Sequence, residues 1–166
     1  AGIITFPGVT GYTKELDKRL PYDVNAAKKL LADAGYPNGF NVELRCPNDR
    51  YVNDEAICTA VVGMLGKIGV NVNLFAQTKS KHFKELKDNQ GDFYMLGWGV
   101  PTLDSHYVFH YLYESGASWN KVNFSDADVD AAIRVMEGEV NLDKRNAAIA
   151  NAWKIVRDNI AYLPLH

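Results

Sequence analysis

Apolar positions along the first half of the chain follow two different periods. Residues 24–34 place apolar side chains at helical spacing, whereas residues 40–45 and 70–74 alternate between apolar and polar side chains. The first pattern predicts an amphipathic helix and the other two predict half-buried strands. A second helical pattern at residues 53–68 lies between the two strands, so these three elements predict a βαβ unit.

The remaining patterns predict further helices and one more strand. Helical spacing predicts helices at residues 80–88, 105–113, 125–137 and from 141 onward. The uncharged residues 93–96 predict a strand covered on both faces. Residues 1–20 have no clear period and predict a surface connection. In the helix at 53–68 we expect Asn53 to be the N-cap and the buried face to comprise Ile57, Val61, Met64, Leu65 and Ile68.

The stretch from Asp92 to Asp104 connects the third predicted strand to an aromatic loop. Gly97 and Gly99 flank Trp98, and glycine allows the backbone to turn and to approach another group closely. A large aromatic side chain at the carboxyl end of a strand often forms part of a ligand surface. The alternative is that Trp98 caps the core.

Composition narrows the class of protein. The chain has 166 residues, of which 47% are hydrophobic and 23% charged, with a formal net charge of −2. These values are typical of a globular protein and give no support to nucleic-acid binding. No repeat or linker divides the sequence, so it predicts one domain over residues 1–166. Because the sequence begins with Ala1 and not with Met, we expect a processed or excised product.

The two cysteines have no metal-ligand spacing. Cys46 ends a strand pattern and Cys58 lies in a helix pattern. A disulfide would require an oxidising compartment and facing Cβ atoms, which a sequence does not show. We therefore expect two buried free thiols, with the disulfide as the alternative.

Candidate catalytic chemistry is sparse. The sequence contains no Gly-rich phosphate loop and no nucleophile-elbow motif. His106 and His110 are four residues apart and follow Asp104, a spacing that can hold a metal. A histidine pair in an aromatic helix more often serves packing and hydrogen bonding. The sequence therefore assigns no catalytic residue, no metal site and no cofactor.

Four motifs resemble the bacterial extracellular solute-binding proteins of family 5, the dipeptide-, oligopeptide- and nickel-binding components of ABC importers. The resemblance runs from Tyr22 to the C-terminus. The motifs are residues 22–40, residues 65–70, Gly97-Trp98 followed by Asp104, and Asp130 with Arg145 and residues 162–165. The resemblance implies an α/β lobe of the type II periplasmic-binding-protein kind, with a mixed sheet, βαβ units and flanking helices.

The resemblance also implies a function and a location. It predicts the C-terminal, distal lobe of a two-lobe receptor, whose missing N-terminal lobe closes with it over a peptide-like or other small solute. The receptor would deliver the solute to a membrane permease, catalyse nothing, and be periplasmic or extracytoplasmic, associated with the membrane through the transporter. The alternatives are a nickel or metal-chelate receptor using His106 or His110, and a small metal-dependent hydrolase in which these histidines converge with Asp104.

Candidate ligand-binding residues follow from matching the motifs position by position. Peptide-binding relatives hold the peptide carboxylate with an Arg before the second helix, which corresponds to Arg50 here, beside Tyr51. They bind the peptide ammonium with an Asp three residues after the motif tryptophan, where this chain has Pro101. The predicted ligand surface is completed by three further positions of the loop: Trp98, Gly99 and Asp104. Asp104 has the alternative role of capping the helix that follows it.

Overall fold

In the computed structural model, which describes residues 1–165, the elements follow the order that the sequence predicts. The first half alternates between helices and strands: α1 (Val24–Asp33), β1 (Asn41–Pro47), α2 (Asp54–Gly66), β2 (Asn71–Gln77), α3 (Lys79–Lys87) and β3 (Phe93–Tyr94). The second half is helical: α4 (Ser105–Val108), a π-helical turn (Phe109–Tyr113), α5 (Ala127–Gly138) and α6 (Leu142–Asn159). The α/β class is confirmed.

The chain forms two compact units. The sheet unit is Pro21–Gly97, and the helical unit combines Ala1–Leu20 with the residues from Trp98 onward. Each unit has its own set of buried side chains.

The sheet unit contains a three-stranded parallel sheet in the order β2-β1-β3. The pairing of β1 with β2 runs from Asn41 opposite Asn71 to Pro47 opposite Gln77. The sequence predicted a mixed sheet, but all three described strands are parallel because a helix separates each strand from the next. β3 is shorter than predicted and only half-buried.

A glycine contact holds the two long strands in register at their first residues. Gly39 has φ of 71°, and a Cβ at this position would collide with the carbonyl oxygen of Gly69. The amide of Asn71 then donates to the carbonyl of Phe40 at 2.8 Å. Glycine is required at residue 39 both by its positive φ and by this close approach.

A disulfide joins β1 to α2, so the expectation of two free thiols was wrong. Cys46 and Cys58 are bonded, with their Cα atoms 6.5 Å apart, and both are buried. This separation is within the range that the bond requires. The loop between β1 and α2 reverses the chain and brings the two Cβ atoms together, which the two separate patterns did not indicate. Around the bond pack Leu44, Val61, Val72, Leu74, Phe93 and Met95.

The N-terminus of α2 differs from the prediction. Asn53 has a left-handed conformation and its side chain makes no capping hydrogen bond. The buried Asp54 carboxylate organises this turn instead, because it accepts from the amides of Arg50, Tyr51 and Glu55. Met64, predicted to be buried, is 49% exposed.

Helix α1 forms as predicted but leaves its apolar stripe uncovered. Asp23 caps it by accepting from the amide of Ala26 at 2.9 Å, and Gly35 follows it with positive φ. Among the described residues none of the side chains of α1 is buried, and Leu30 is 69% exposed. An apolar stripe predicts a helix face suited to packing but does not supply the surface against which it packs.

The helical unit buries a cluster of large side chains. Phe109 and Trp153 are fully buried, with ring centroids 4.5 Å apart. The cluster is completed by Val108, Leu112, Tyr113, Val129, Ile133, Met136, Ile149 and Val156.

Residues 1–20 also belong to this unit and are not the surface connection that we expected. Ile3 and Val9 are buried, and Thr10 pairs with Asp104 in an isolated parallel bridge. Short hydrophobic runs without a helical or strand period gave no indication of this packing. No helix in residues 1–165 is both long enough and apolar enough to cross a membrane.

Candidate functional site

The loop after the sheet presents Trp98 among other aromatic rings of the helical unit. The Trp98 ring lies 6.1 Å from Tyr107, 5.9 Å from Tyr111 and 5.9 Å from Trp119, measured between centroids. We call these four residues the aromatic surface. All four are half-buried, so each ring has one part packed and one part open to solvent. Flat amphipathic rings of this kind are common in ligand sites.

The indole N–H of Trp98 is an unsatisfied hydrogen-bond donor. Its Nε1 is shielded from solvent and has no hydrogen-bond partner among residues 1–165. A buried donor without an acceptor costs roughly 1–3 kcal/mol. An acceptor brought by a ligand would remove this penalty.

Asp104 is bound within the helical unit on both carboxylate oxygens. Arg145 donates from Nη1 and Nη2 at 2.9 Å to the two oxygens, and the amide of His106 donates to Oδ1 at 2.9 Å. Arg145 also donates from Nε to the carbonyl of Met136. Asp104 therefore caps α4, as its alternative role predicted, and anchors the loop to α5 and α6.

These contacts determine the protonation of Asp104. Burial by itself would raise the pKa of this carboxyl, but the hydrogen bonds from Arg145 and from the His106 amide outweigh burial and lower it. Asp104 is thus ionised and already paired with a cation. It does not converge with His106 and His110 on an open metal position.

Arg50 lies in the sheet unit on the loop that Asp54 organises. Its guanidinium is exposed, lies 5.1 Å from the Tyr51 ring centroid, and has no hydrogen-bond or ion-pair partner within residues 1–165. The Tyr51 hydroxyl is 3.5 Å from the carbonyl oxygen of Gly97. Burial would raise the pKa of Asp54, but the amides of Tyr51, Arg50 and Glu55 outweigh it and lower the pKa. Asp54 therefore stays ionised and fixes the loop backbone.

The two remaining predicted site residues, Pro101 and Gly99, have no charged side chain and can offer a ligand little more than their backbone. Pro101 is exposed and carries no N–H. Gly99 is exposed, and a Cβ there would meet open space, whereas a Cβ on Gly97 would lie 2.6 Å from the Tyr51 ring. A side chain at 97 would therefore force the Tyr51 ring to shift, whereas a side chain at 99 would not.

The contacts between the site residues were harder to predict from the sequence than the residues themselves. Arg145 was part of a motif but had no predicted role, and the contacts of Tyr107, Tyr111 and Trp119 with Trp98 were not predicted. The spacing of Tyr107 and Tyr111 by four residues was the available indication that they share a helix face.

The chain belongs to the bacterial extracellular solute-binding proteins, family 5, whose middle-region model matches residues 2–120. Heme-binding protein A of Haemophilus influenzae is 26% identical over 96% of this chain. The alignment covers 30% of that relative, so the chain spans about a third of the length of such proteins.

Two solved structures show the same fold. The dipeptide-binding protein of a Pseudoalteromonas species in complex with Met-Leu superposes with a TM-score of 0.87 at 22% identity, covering 99% of this chain and 33% of that one. The periplasmic binding protein DppA of Helicobacter pylori, associated with an ABC transporter and bound to the peptide STSA, gives 0.83 at 24%, covering 96% and 31%.

Family membership bears on the alternatives that the sequence left open. The matching model describes solute-binding proteins, and the Haemophilus influenzae relative is named as a heme-binding protein. The family supports the solute-receptor interpretation and not the nickel-receptor or hydrolase alternatives. The family description places its members outside the cytoplasm.

Proposed function

We propose that the protein carrying this chain is the substrate-binding component of an ABC importer. Residues 1–166 would be its distal lobe, closing with a second lobe of the same protein over a peptide-like or other small solute. The receptor would be periplasmic or otherwise extracytoplasmic and associated with the membrane through the transporter. It would deliver the solute to a permease and catalyse no reaction. Family membership over residues 2–120 supports this proposal.

The aromatic surface is the observation that carries the proposal to particular residues. Four half-buried rings surround Trp98, whose N–H lacks an acceptor within residues 1–165. We expect these rings to cover the apolar parts of the solute, and the indole N–H to donate to a solute oxygen after a small side-chain movement.

Arg50 is our candidate for binding an anionic group of the solute. An exposed guanidinium without an acidic partner is available for a bidentate pair with a carboxylate. Its backbone is held through Asp54, so less conformational freedom is lost when a ligand binds. This assignment depends on the sheet unit alone and is tested separately from the aromatic surface.

The loop around Pro101 offers no free acid for a solute ammonium. Pro101 has neither charge nor N–H, and both oxygens of Asp104 are bound to Arg145. We therefore propose that Asp104 positions the loop and that the receptor does not recognise a free amino terminus at this place. Peptides with free and acetylated amino termini should then bind within about tenfold of each other, or about 1.4 kcal/mol.

The decisive experiment identifies the solute by mass spectrometry of small molecules that co-purify with the full-length protein. Calorimetry with that solute then compares Trp98→Ala with Tyr36→Ala, an exposed aromatic outside the aromatic surface. We expect at least a tenfold loss for Trp98→Ala and no change for Tyr36→Ala. Equal affinities would remove the aromatic surface from the site. A co-purifying solute that fails to bind the purified protein would overturn the receptor function itself.

The Arg50 assignment has its own comparison. Arg50→Gln should weaken an anionic solute at least tenfold, while Arg19→Gln, an exposed arginine of the helical unit, should not. An unchanged affinity for Arg50→Gln would show that Arg50 does not bind the solute and serves only the structure of the loop.

A further inference from the structure

Two histidines and a glutamate converge on the helical unit, where the His110 ring lies 4.9 Å from the Tyr111 ring of the aromatic surface. His106 lies on α4, His110 on the π-helical turn, and Glu137 in the last turn of α5. One ligand atom from each side chain lies within 4.8 Å of the other two. We propose that these three side chains bind a borderline divalent cation such as Zn²⁺, independently of the proposed solute.

The distances suit such an ion. Nε2 of His106 is 3.3 Å from Oε1 of Glu137, and the two imidazole rings stack with centroids 5.7 Å apart. Ligand atoms about 2.0–2.2 Å from a tetrahedral zinc ion are roughly 3.4 Å apart. The His106–Glu137 pair already has this spacing. His110 is 44% exposed in its side chain and can close the remaining gap by rotating.

A second carboxylate lies beside His110. Oε2 of Glu114 is 2.8 Å from Nδ1 of His110. The contact lacks hydrogen-bond geometry, so this shielded ring nitrogen has no hydrogen-bond partner within residues 1–165. Metal-bound imidazoles almost always direct their other ring nitrogen to a carboxylate or carbonyl, and Glu114 is close enough to take that role when the ring rotates onto an ion. Neutral imidazoles with two carboxylates also balance a divalent charge.

The residues that would compete are already paired. Asp104, two residues before His106, is held by Arg145 on both oxygens. The proposed site is therefore two imidazoles and one carboxylate with an open position for water, the ligand set of several zinc sites. A bound ion would connect α4 and the π-helical turn to the end of α5, so we expect it to stabilise the helical unit.

Calorimetric titration of ZnCl₂ into the tag-free chain after dialysis against chelator tests the site. We expect one equivalent to bind, His106→Ala and His110→Ala each to weaken binding at least tenfold, and Glu137→Gln to weaken it as well. Asp128→Asn removes an exposed carboxylate from the same helix and should change nothing.

Co²⁺ gives a second measurement that does not depend on affinity. Its visible absorption should show the intense bands of a low-coordinate site, and His106→Gln should abolish them without changing the thermal transition of the metal-free chain. Absence of binding, or equal binding by wild type and all three ligand variants, would overturn the proposal. So would loss of binding in Asp128→Asn comparable to that in Glu137→Gln.

Discussion

The helical unit buries more large apolar side chains than the sheet unit, whereas the buried ionisable carboxylates and imidazole within residues 1–165 lie in the sheet unit. The helical unit encloses Trp153, Phe109 and Ile133 with no exposed surface. The sheet unit has a small apolar cluster around the Cys46–Cys58 bond. Its buried set includes four polar or charged residues: Asp54, Gln77, His82 and Glu85.

Some buried polar groups of the sheet unit are paired, whereas Oε1 of Gln77 and Nδ1 of His82 have no hydrogen-bond partner within residues 1–165. Glu85 accepts from Gln77 at 2.6 Å and forms an ion pair with Arg45 at 3.3 Å. The hydrogen bond from Gln77 outweighs burial and, with Arg45, lowers the pKa of Glu85. Nε2 of His82 bonds to the carbonyl of Met95 at 2.9 Å, while burial lowers the pKa of the imidazole.

The comparison shows two ways to hold a small unit together. The helical unit gains stability by removing large apolar area from water. The sheet unit exposes much of its apolar surface, and a covalent bond and the contacts of Glu85 with Gln77 and Arg45 contribute in its place. The aromatic surface and the proposed cation site both lie on the unit with the larger apolar core. Helices carry Tyr107, Tyr111 and the three proposed cation ligands and hold them in position, whereas Trp98 and Trp119 lie in loops.

The largest expected effect tests the core of the helical unit. Trp153→Ala should lower its free energy of unfolding by about 3–5 kcal/mol, because a fully buried indole leaves a cavity. Trp153→Phe should lower it less, since most of the ring volume remains. Denaturant titration monitored by near-UV circular dichroism measures both. A loss below 1 kcal/mol for the alanine variant would contradict the proposed dominance of this core.

The disulfide is the corresponding test in the sheet unit. Replacing both Cys46 and Cys58 by alanine should cost about 3 kcal/mol, the loop-closure contribution for a bond of this sequence separation. Hydrogen exchange of β1 and β2 measures this loss locally. All three tryptophans lie outside the sheet unit, so indole fluorescence provides a reference for the helical unit. Unchanged exchange in β1 and β2 would show that the bond is dispensable.

Arg145→Met should cost about 2 kcal/mol, since it removes charge-assisted hydrogen bonds to Asp104 and one to the Met136 carbonyl. The folded pKa of Asp104 is lowered, so its contribution to stability is present above the unfolded pKa of about 3.9 and is lost as pH falls through the folded value. The wild type should therefore lose more stability than Arg145→Met between neutral pH and the acid limit. Parallel pH profiles would contradict this role.

The smallest effect concerns the uncovered stripe of α1. Leu30→Ser should change stability by no more than about 0.5 kcal/mol, because Leu30 is 69% exposed. Leu112→Ser, at 1% exposure, is the buried comparison and should cost several times more. A loss above 2 kcal/mol for Leu30→Ser would show that the stripe is covered in solution.

Local patterns were enough to identify most elements of the fold. Asp23, Gly35 and the spacing between them determine α1, and the alternation at residues 40–45 and 70–74 determines β1 and β2, because caps and periods act through neighbouring residues. Together with the family motifs, the βαβ order of these elements also predicted the fold class. For the candidate site, the sequence predicted individual residues, with Trp98 and Asp104 on one loop.

The tertiary structure decided which of these residues meet. The Cys46–Cys58 bond, the pairing of Asp104 with Arg145, and the approach of Glu137 to His106 all join residues from different elements. Asn53 makes no capping hydrogen bond, because the Asp54 carboxylate accepts from the amides of this turn. The sequence by itself determined the elements through interactions within a few residues. Contacts between residues that are distant in the sequence depend on chain reversal and packing, which bring their side chains within bonding distance. Such contacts produce no periodic pattern in the sequence, so it does not predict them.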